Sequence, residues 1–145
     1  MNLVEPSITD GKSEPELDKE YPMSNCSEKE LSDALKIISS TISKCEKAQL
    51  KFAVGTSQHS LLKNRIKALY ISQSLVLNDG SIKTYTHEEL TKALPPVTSI
   101  ISKTEKAQSK YEKEGAQYRR FEPIIKAMQI SETLIKKELC KREEC

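Results

Sequence analysis

The sequence predicts an all-α protein, a four-helix bundle built from two tandem copies of a helical hairpin with a disordered acidic N-terminal tail. Charged residues make up 30% of the 145 residues, whereas aromatic residues make up 5% and there are only 4 Gly. This composition favours amphipathic helices over a β-sandwich or barrel, which rely on aromatic and β-branched residues. In addition, the chain repeats itself at a fixed interval, and its apolar residues recur at helical spacing.

The repetition relates two segments that lie 59 residues apart. Ser27–Val76 aligns with Thr86–Ile135, and 20 of the 50 aligned positions are identical. The densest match joins 42–52 to 101–111. We therefore predict repeat 1 over residues 27–78 and repeat 2 over residues 86–140. Both belong to a single bundle domain over residues 27–145, because one hairpin cannot bury its apolar stripes alone and two can.

Each copy is predicted to form two helices, and the first of them starts at a capping box. Ser27 with Glu30, and Thr86 with Glu89, have the spacing in which a hydroxyl and a carboxylate each accept a backbone N–H. Behind each box, apolar residues recur at alternating steps of four and three, which is typical of a bundle seam. The seam of the first copy contains Leu31, Leu35, Ile38, Ile42, Cys45, Gln49 and Phe52.

Glycines and prolines predict the interruptions between and within these helices. Gly55 and Gly115 are predicted to mark the turns inside the two hairpins. Residues 78–81, with the sequence Asn-Asp-Gly-Ser, predict the turn between the copies. The pair Pro95-Pro96 stands where the first copy has Lys36-Ile37, so we expect the third helix to break or kink near Leu94.

The charge of the chain is divided between its tail and its body. Residues 1–26 carry six acids and two bases, and the remaining residues carry 15 acids and 21 bases. The first 26 residues also contain Pro and Gly without apolar periodicity, which predicts a disordered acidic tail. No basic and apolar leader opens the sequence, and no apolar run approaches the roughly 18 residues of a membrane span. We expect a cytoplasmic protein without a membrane span.

Polar residues interrupt the predicted seam at equivalent positions in both copies. Gln49 and Gln108 occupy the seam, and Glu46 and Glu105 precede them by three residues. One interpretation is a polar core layer that fixes the register of the helices. The alternative is a carboxylate-bridged metal site, but di-iron bundles use Glu-x-x-His and neither copy has a His there. We therefore expect no metal and no cofactor.

A second candidate site lies where the two hairpin turns meet. In an up-down-up-down bundle both turns are at the same end, and each precedes a helix N-terminus, which attracts anions. The basic residues predicted to collect there are His59, Lys63, Arg65, Arg119 and Arg120. They predict a site for a small anion or a nucleotide, unless they are an ordinary solvated helix surface. Binding of nucleic acid is not expected, because few aromatic residues accompany the bases.

Apolar residues also recur outside the predicted seam. Ile71 and Ile130 are equivalent in the two copies, and they either complete a wider core stripe or form an interaction face for a partner or a second subunit. No nucleophile stands at a recognisable spacing from either of the two His, so we expect no enzymatic activity. The leading hypothesis is a helical interaction module acting through protein–protein contacts or self-association. Anion binding and a metalloprotein are the alternatives.

Overall fold

The computed structural model describes residues 27–143, and these residues form four α-helices without a strand. The helices are α1 (Glu28–Gln49), α2 (Ser57–Leu77), α3 (His87–Gln108) and α4 (Ala116–Glu143), with a short 3-10 helix over Ser81–Thr84. The all-α four-helix prediction is confirmed. The predicted disorder of residues 1–26 lies outside the described residues. None of the described helices is long and apolar enough to cross a membrane.

Side chains cap the first helix of each hairpin as the sequence predicts. In α1 the Ser27 hydroxyl accepts from the Glu30 backbone N–H at 3.1 Å, and the Glu30 carboxylate accepts from the Ser27 N–H at 3.0 Å. Thr86 and Glu89 form the same reciprocal pair in α3, at 3.0 and 2.8 Å. Each box satisfies two backbone donors that the first helical turn leaves without partners.

The two hairpin turns have the same length, and Gly55 and Gly115 lie in them as predicted. Residues 50–56 and 109–115 connect the helices, and the left-handed residues are Gly55 (φ +97°) and Glu114 (φ +68°), which are 59 positions apart. Gly115 does not have a positive φ. A Cβ at Gly115 would lie 3.2 Å from the carbonyl oxygen of Glu112, so this glycine permits a close approach.

Helix α3 continues through Pro95 and Pro96, so of the break or kink expected near Leu94 the break does not occur. A proline ring removes the N–H that would bond to the carbonyl four residues earlier. Here those carbonyls belong to Thr91 and Lys92, which are exposed, so water can reach them. Buried residues on both sides of the prolines, such as Leu90 and Val97, hold the helix against the core. Packing therefore outweighs the lost hydrogen bonds.

The helix pairs α1/α2, α3/α4, α2/α3 and α1/α4 pack as neighbours around one core, and α2 and α4 also contact each other across the diagonal. Within the described residues α1 and α3 do not make the corresponding contact. Helices α2 and α4 are therefore the central pair. Each contains a fully buried serine, Ser72 or Ser131, whose hydroxyl donates to the backbone carbonyl of Ala68 or Ala127 at 2.9 Å. These small residues allow a close approach without an unsatisfied polar group.

The C-terminal end of α4 is hydrogen-bonded to the segment that connects the two hairpins. The Arg142 guanidinium donates to the backbone carbonyls of Tyr85 at 2.7 Å and Ile82 at 2.9 Å, and its Nε donates to Glu138 at 2.9 Å. Ile82 is buried beneath this contact, in the 3-10 helix. The last helix thus covers the link that sets the two hairpins side by side.

Glu114 should be replaceable by Gly with a gain in stability. A non-glycine residue in the left-handed region costs about 1–2 kcal/mol, and Glu114→Gly should recover about 1 kcal/mol of it. Urea unfolding should then show a higher midpoint with an unchanged slope. Glu114→Ala removes the same carboxylate while keeping the strain, and it should not show the gain. Equal midpoints for wild type and Glu114→Gly would contradict this account of the turn.

Candidate functional site

Two grooves run along the sides of the bundle, and residues 59 positions apart line them. The larger groove lies between α2 and α3 and encloses about 820 Å³. The smaller groove lies between α4 and α1 and encloses about 290 Å³. Five pairs of identical, equivalent residues line the two grooves: Lys67 and Lys126, Ala68 and Ala127, Ile71 and Ile130, Glu89 and Glu30, and Ala93 and Ala34.

One ion pair crosses each groove and joins the two hairpins. Lys67 Nζ lies 2.6 Å from Glu89 Oε2 in the larger groove, and Lys126 Nζ lies 2.5 Å from Glu30 Oε2 in the smaller one. The hydrogen bond from its lysine, followed by that from the capping backbone, lowers the pKa of each glutamate below its ordinary value of 4.5. The same carboxylate therefore caps a helix and holds the neighbouring hairpin.

Ile71 and Ile130, the predicted interaction face, are buried, and the alternative of a wider core stripe describes them correctly. Their exposed fractions are 0% and 6%. They do not form an exposed apolar patch, because each lies at the floor of a groove, against the neighbouring helix. An interaction through this region would have to use the groove walls above them.

The larger groove differs from the smaller one through a few substitutions between the copies. Pro95 and Pro96 line it where the first copy has Lys36 and Ile37, and Lys92 lines it where the first copy has Asp33. Lys92 pairs with Glu88 at 3.0 Å. The result is an apolar groove with a charged rim and with a volume in the range typical of ligand sites, about 300–1,000 Å³.

Arg65, a member of the predicted anion site, lies in this groove with part of its guanidinium unsatisfied. Its Nε and Nη2 atoms are shielded from solvent and have no hydrogen-bond partner. Burial raises the pKa of the Cys45 thiol on α1, and the positive charge of Arg65 opposes that rise. The equivalent residue in the second copy is Ile124. A hydrophobic residue is therefore compatible with this position, and the arginine makes packing more costly.

The other four residues of the predicted anion site lie in the first two turns of α2 and α4, at the hairpin-loop end. Lys63, Arg119 and Arg120 are exposed, and Arg120 Nη1 donates to Gln117 Oε1 at 3.1 Å. His59 is half-buried, and its backbone carbonyl accepts a hydrogen bond from Gln49. Of the five predicted residues, only Arg65 lines a groove.

Of the four residues of the predicted polar core layer, Gln108 is buried, with 6% of its surface exposed, and Gln49 is half-buried. Glu46 and Glu105 are exposed, and Glu46 accepts from the Tyr70 hydroxyl at 2.9 Å. Gln49 and Gln108 each close their own hairpin, since their amides donate to the backbone carbonyls of His59 at 3.4 Å and Tyr118 at 3.0 Å. Gln49 and Gln108 are the last residues of α1 and α3, so their side chains contact the segment that follows each hairpin turn.

The outward positions of these glutamates also bear on the metal alternative. Among residues 27–143, no group of three or more His, Cys, Asp and Glu side chains is placed to hold a metal ion. The two carboxylates that would have bridged a metal lie on α1 and α3, the two helices that do not contact each other. A carboxylate-bridged centre therefore has no geometric basis in this part of the chain.

Arg65→Ile should make the fold more stable. Shielding two guanidinium donors without partners costs about 1–3 kcal/mol, and Ile124 shows the residue type that the equivalent position accepts. We expect the free energy of unfolding in urea to rise by about 1–3 kcal/mol. Ile124→Arg is the reciprocal variant and should lower it. A loss of stability in Arg65→Ile would mean that the arginine is paired within the folded chain.

Acid should remove part of the stability, through Glu30 and Glu89. Because their folded-state pKa values lie below the unfolded ones, both pairs stabilise fully above the unfolded value and lose this effect as the pH falls through the folded one. Replacing both glutamates by Gln should flatten the loss of urea stability below about pH 4.5. Glu28→Gln is the matched control in the same helical turn. If the double variant loses urea stability in acid as steeply as wild type does, Glu30 and Glu89 are not the cause of that loss.

Comparison with known proteins gives no relative from which a function could be transferred. No protein-family model matches the chain, and neither a curated protein nor a solved structure matches it. The two grooves, their ion pairs and the unsatisfied arginine are therefore the features from which a function has to be inferred.

Proposed function

We propose that the chain is a non-enzymatic helical interaction module whose larger groove, between α2 and α3, takes a segment of a partner protein. That segment carries apolar side chains and at least one carboxylate. The observation that carries the proposal is Arg65, because it places two unpartnered guanidinium donors beside the larger of the two grooves.

The shape of the groove supports an apolar anchor in the partner. Its floor consists of Ala68, Ile71 and Ala93, and Pro95 and Pro96 line one wall. Leu61 lies at its edge with about half of its surface exposed. Peptide segments bind such grooves by placing a few apolar side chains against the floor, while polar groups on the rim fix their orientation.

The charges around the groove support a carboxylate in the partner. Lys67 is neutralised by Glu89 and Lys92 by Glu88, so Arg65 is the base of this groove without an acidic counterpart. Its unpartnered atoms, Nε and Nη2, form the edge of a guanidinium that holds a carboxylate through two parallel hydrogen bonds. Rotation of the side chain toward the groove on binding would exchange unpaired burial for this bidentate contact.

The test is a quantitative capture experiment with the purified chain and three variants. Arg65→Ile should weaken capture of the groove partner by roughly tenfold or more, since it removes a charge-assisted pair. Arg65→Lys keeps the charge but removes the planar guanidinium that can form two parallel hydrogen bonds, so the loss of capture should be intermediate. Asp33→Ala, in the smaller groove, is the matched control and should capture the partner as wild type does.

The captured protein must also carry the carboxylate that is proposed to pair with Arg65. Neutralising the acidic residues of its bound segment, Glu→Gln or Asp→Asn, should reproduce the loss seen with Arg65→Ile, and the two changes together should cost no more than either alone. If Arg65→Ile captures the partner as strongly as wild type does, the larger groove is not the binding site. Displacement of the partner by inorganic phosphate or a nucleotide would instead favour the anion-binding alternative.

A further inference from the structure

The hairpin-loop end of the bundle is chemically distinct from the grooves. It is defined here as residues 44–63 and 103–122, the ends of α1 and α3, their turns, and the starts of α2 and α4. Gln49 and Gln108 close the two turns at this end. Arg142 and the 3-10 helix lie at the opposite end, where the described chain also begins at Ser27.

Almost all the net positive charge of the body is at the hairpin-loop end. Residues 44–63 contain four Lys and one Glu, and residues 103–122 contain four Lys, two Arg and four Glu, giving a net charge of +5. The whole of residues 27–145 carries 21 bases and 15 acids, a net of +6. Four of the five acids of this end belong to the second hairpin, so the surroundings of the first turn are the more basic.

The first turn exposes three large apolar side chains, and two of them, Leu50 and Val54, are the most exposed ones among the described residues. Leu50 is 87% exposed, Val54 is 86% exposed and Phe52 is 38% exposed, within five consecutive residues. We name these three residues the apolar tip. Side chains of this kind on a monomer mark a contact surface when they cluster, whereas isolated ones do not.

The second turn shows that folding does not require the apolar tip. Its residues equivalent to Leu50 and Val54 are Ser109 and Lys113, although both turns have the same length and the same left-handed residue. Tyr111, the equivalent of Phe52, stacks on Phe121 with ring centroids 5.8 Å apart. The exposed Leu and Val are therefore additions to a turn that forms without them.

We propose that the hairpin-loop end docks on an anionic lipid bilayer. The apolar tip inserts among the acyl chains near the headgroups, and four lysines around it contact the headgroup phosphates and carboxylates: Lys44, Lys47, Lys51 and Lys63. Apolar insertion and attraction to anionic lipid act together in peripheral membrane binding, and each basic residue near the surface contributes about 1 kcal/mol.

The combination of residues favours a bilayer over two other partners. Nucleic acid would use the bases and could stack on Phe52, but Leu50 and Val54, the most exposed residues of the tip, are aliphatic and gain nothing from phosphates or from stacking. The centre of a protein interface is poor in Lys, whereas here Lys51 lies between the exposed apolar side chains. A bilayer accepts both, since its headgroup layer takes the lysines and its interior takes the tip. Both grooves run along the sides of the bundle and stay accessible.

Vesicle co-sedimentation of the full chain tests the proposal. The chain should bind vesicles of phosphatidylcholine mixed with phosphatidylserine roughly tenfold more strongly than phosphatidylcholine alone. This preference should disappear as salt rises from about 0.1 M to about 1 M, because the screening length falls from about 10 Å to about 3 Å. Equal binding to both vesicles, or binding to neither, would overturn it.

Variants that copy the polar character of the second turn separate the tip from the fold. Leu50→Ser with Val54→Ser should lower vesicle binding by roughly tenfold or more while leaving the melting temperature unchanged. Ser109→Leu, which builds an apolar residue into the second turn, should raise binding several-fold. Wild-type vesicle binding in the double Ser variant would refute insertion of the tip. If the chain binds no vesicle and the double variant instead loses a protein or nucleic-acid contact, the bilayer proposal is also refuted.

Discussion

Neither helical hairpin can remove its apolar stripes from water by itself, and the rest of the structure depends on this constraint. The solution is a shared core in which α2 and α4 meet across the diagonal, with Ser72 and Ser131 fully buried on the two helices. Because α2 and α4 are central, each outer helix leaves a groove beside its neighbour from the other hairpin. The ion pairs Lys67–Glu89 and Lys126–Glu30 cross these grooves and link the two hairpins at the surface.

Several positions 59 residues apart are buried in both copies, among them Ala68 and Ala127. The functional proposals instead depend on positions at which the two copies differ. Arg65 stands opposite Ile124, and Leu50 stands opposite Ser109. In both pairs the second copy has the residue that a stable bundle prefers, an apolar one inside and a polar one outside. At these positions the first copy has the residue that is less favourable for folding. When most residues of a protein agree with its fold, such exceptions tend to occur at functional sites.

The sequence was sufficient for features that depend on neighbours along the chain. The capping boxes at Ser27 and Thr86 and the order of four helices follow from local spacing, and the structure has them. It was insufficient where the packing of distant helices decides. The break at Pro95 does not occur because buried residues on both sides hold α3, and the anchoring of Arg142 to Tyr85 joins residues 57 positions apart. The role of Gln49 was missed because a seam pattern does not show where the bundle ends.

The central claim is that the two hairpins form one cooperative unit, and native-state hydrogen exchange tests it most directly. Ile38→Ala deletes buried side-chain volume in α1, at a cost of about 2–5 kcal/mol. If the core is shared, the slowest-exchanging amides of α4, around Met128, should lose as much protection as those of α2 around Leu69. Protection that falls in α1 and α2 but stays at the wild-type level in α3 and α4 would show two independent hairpins and would contradict the account.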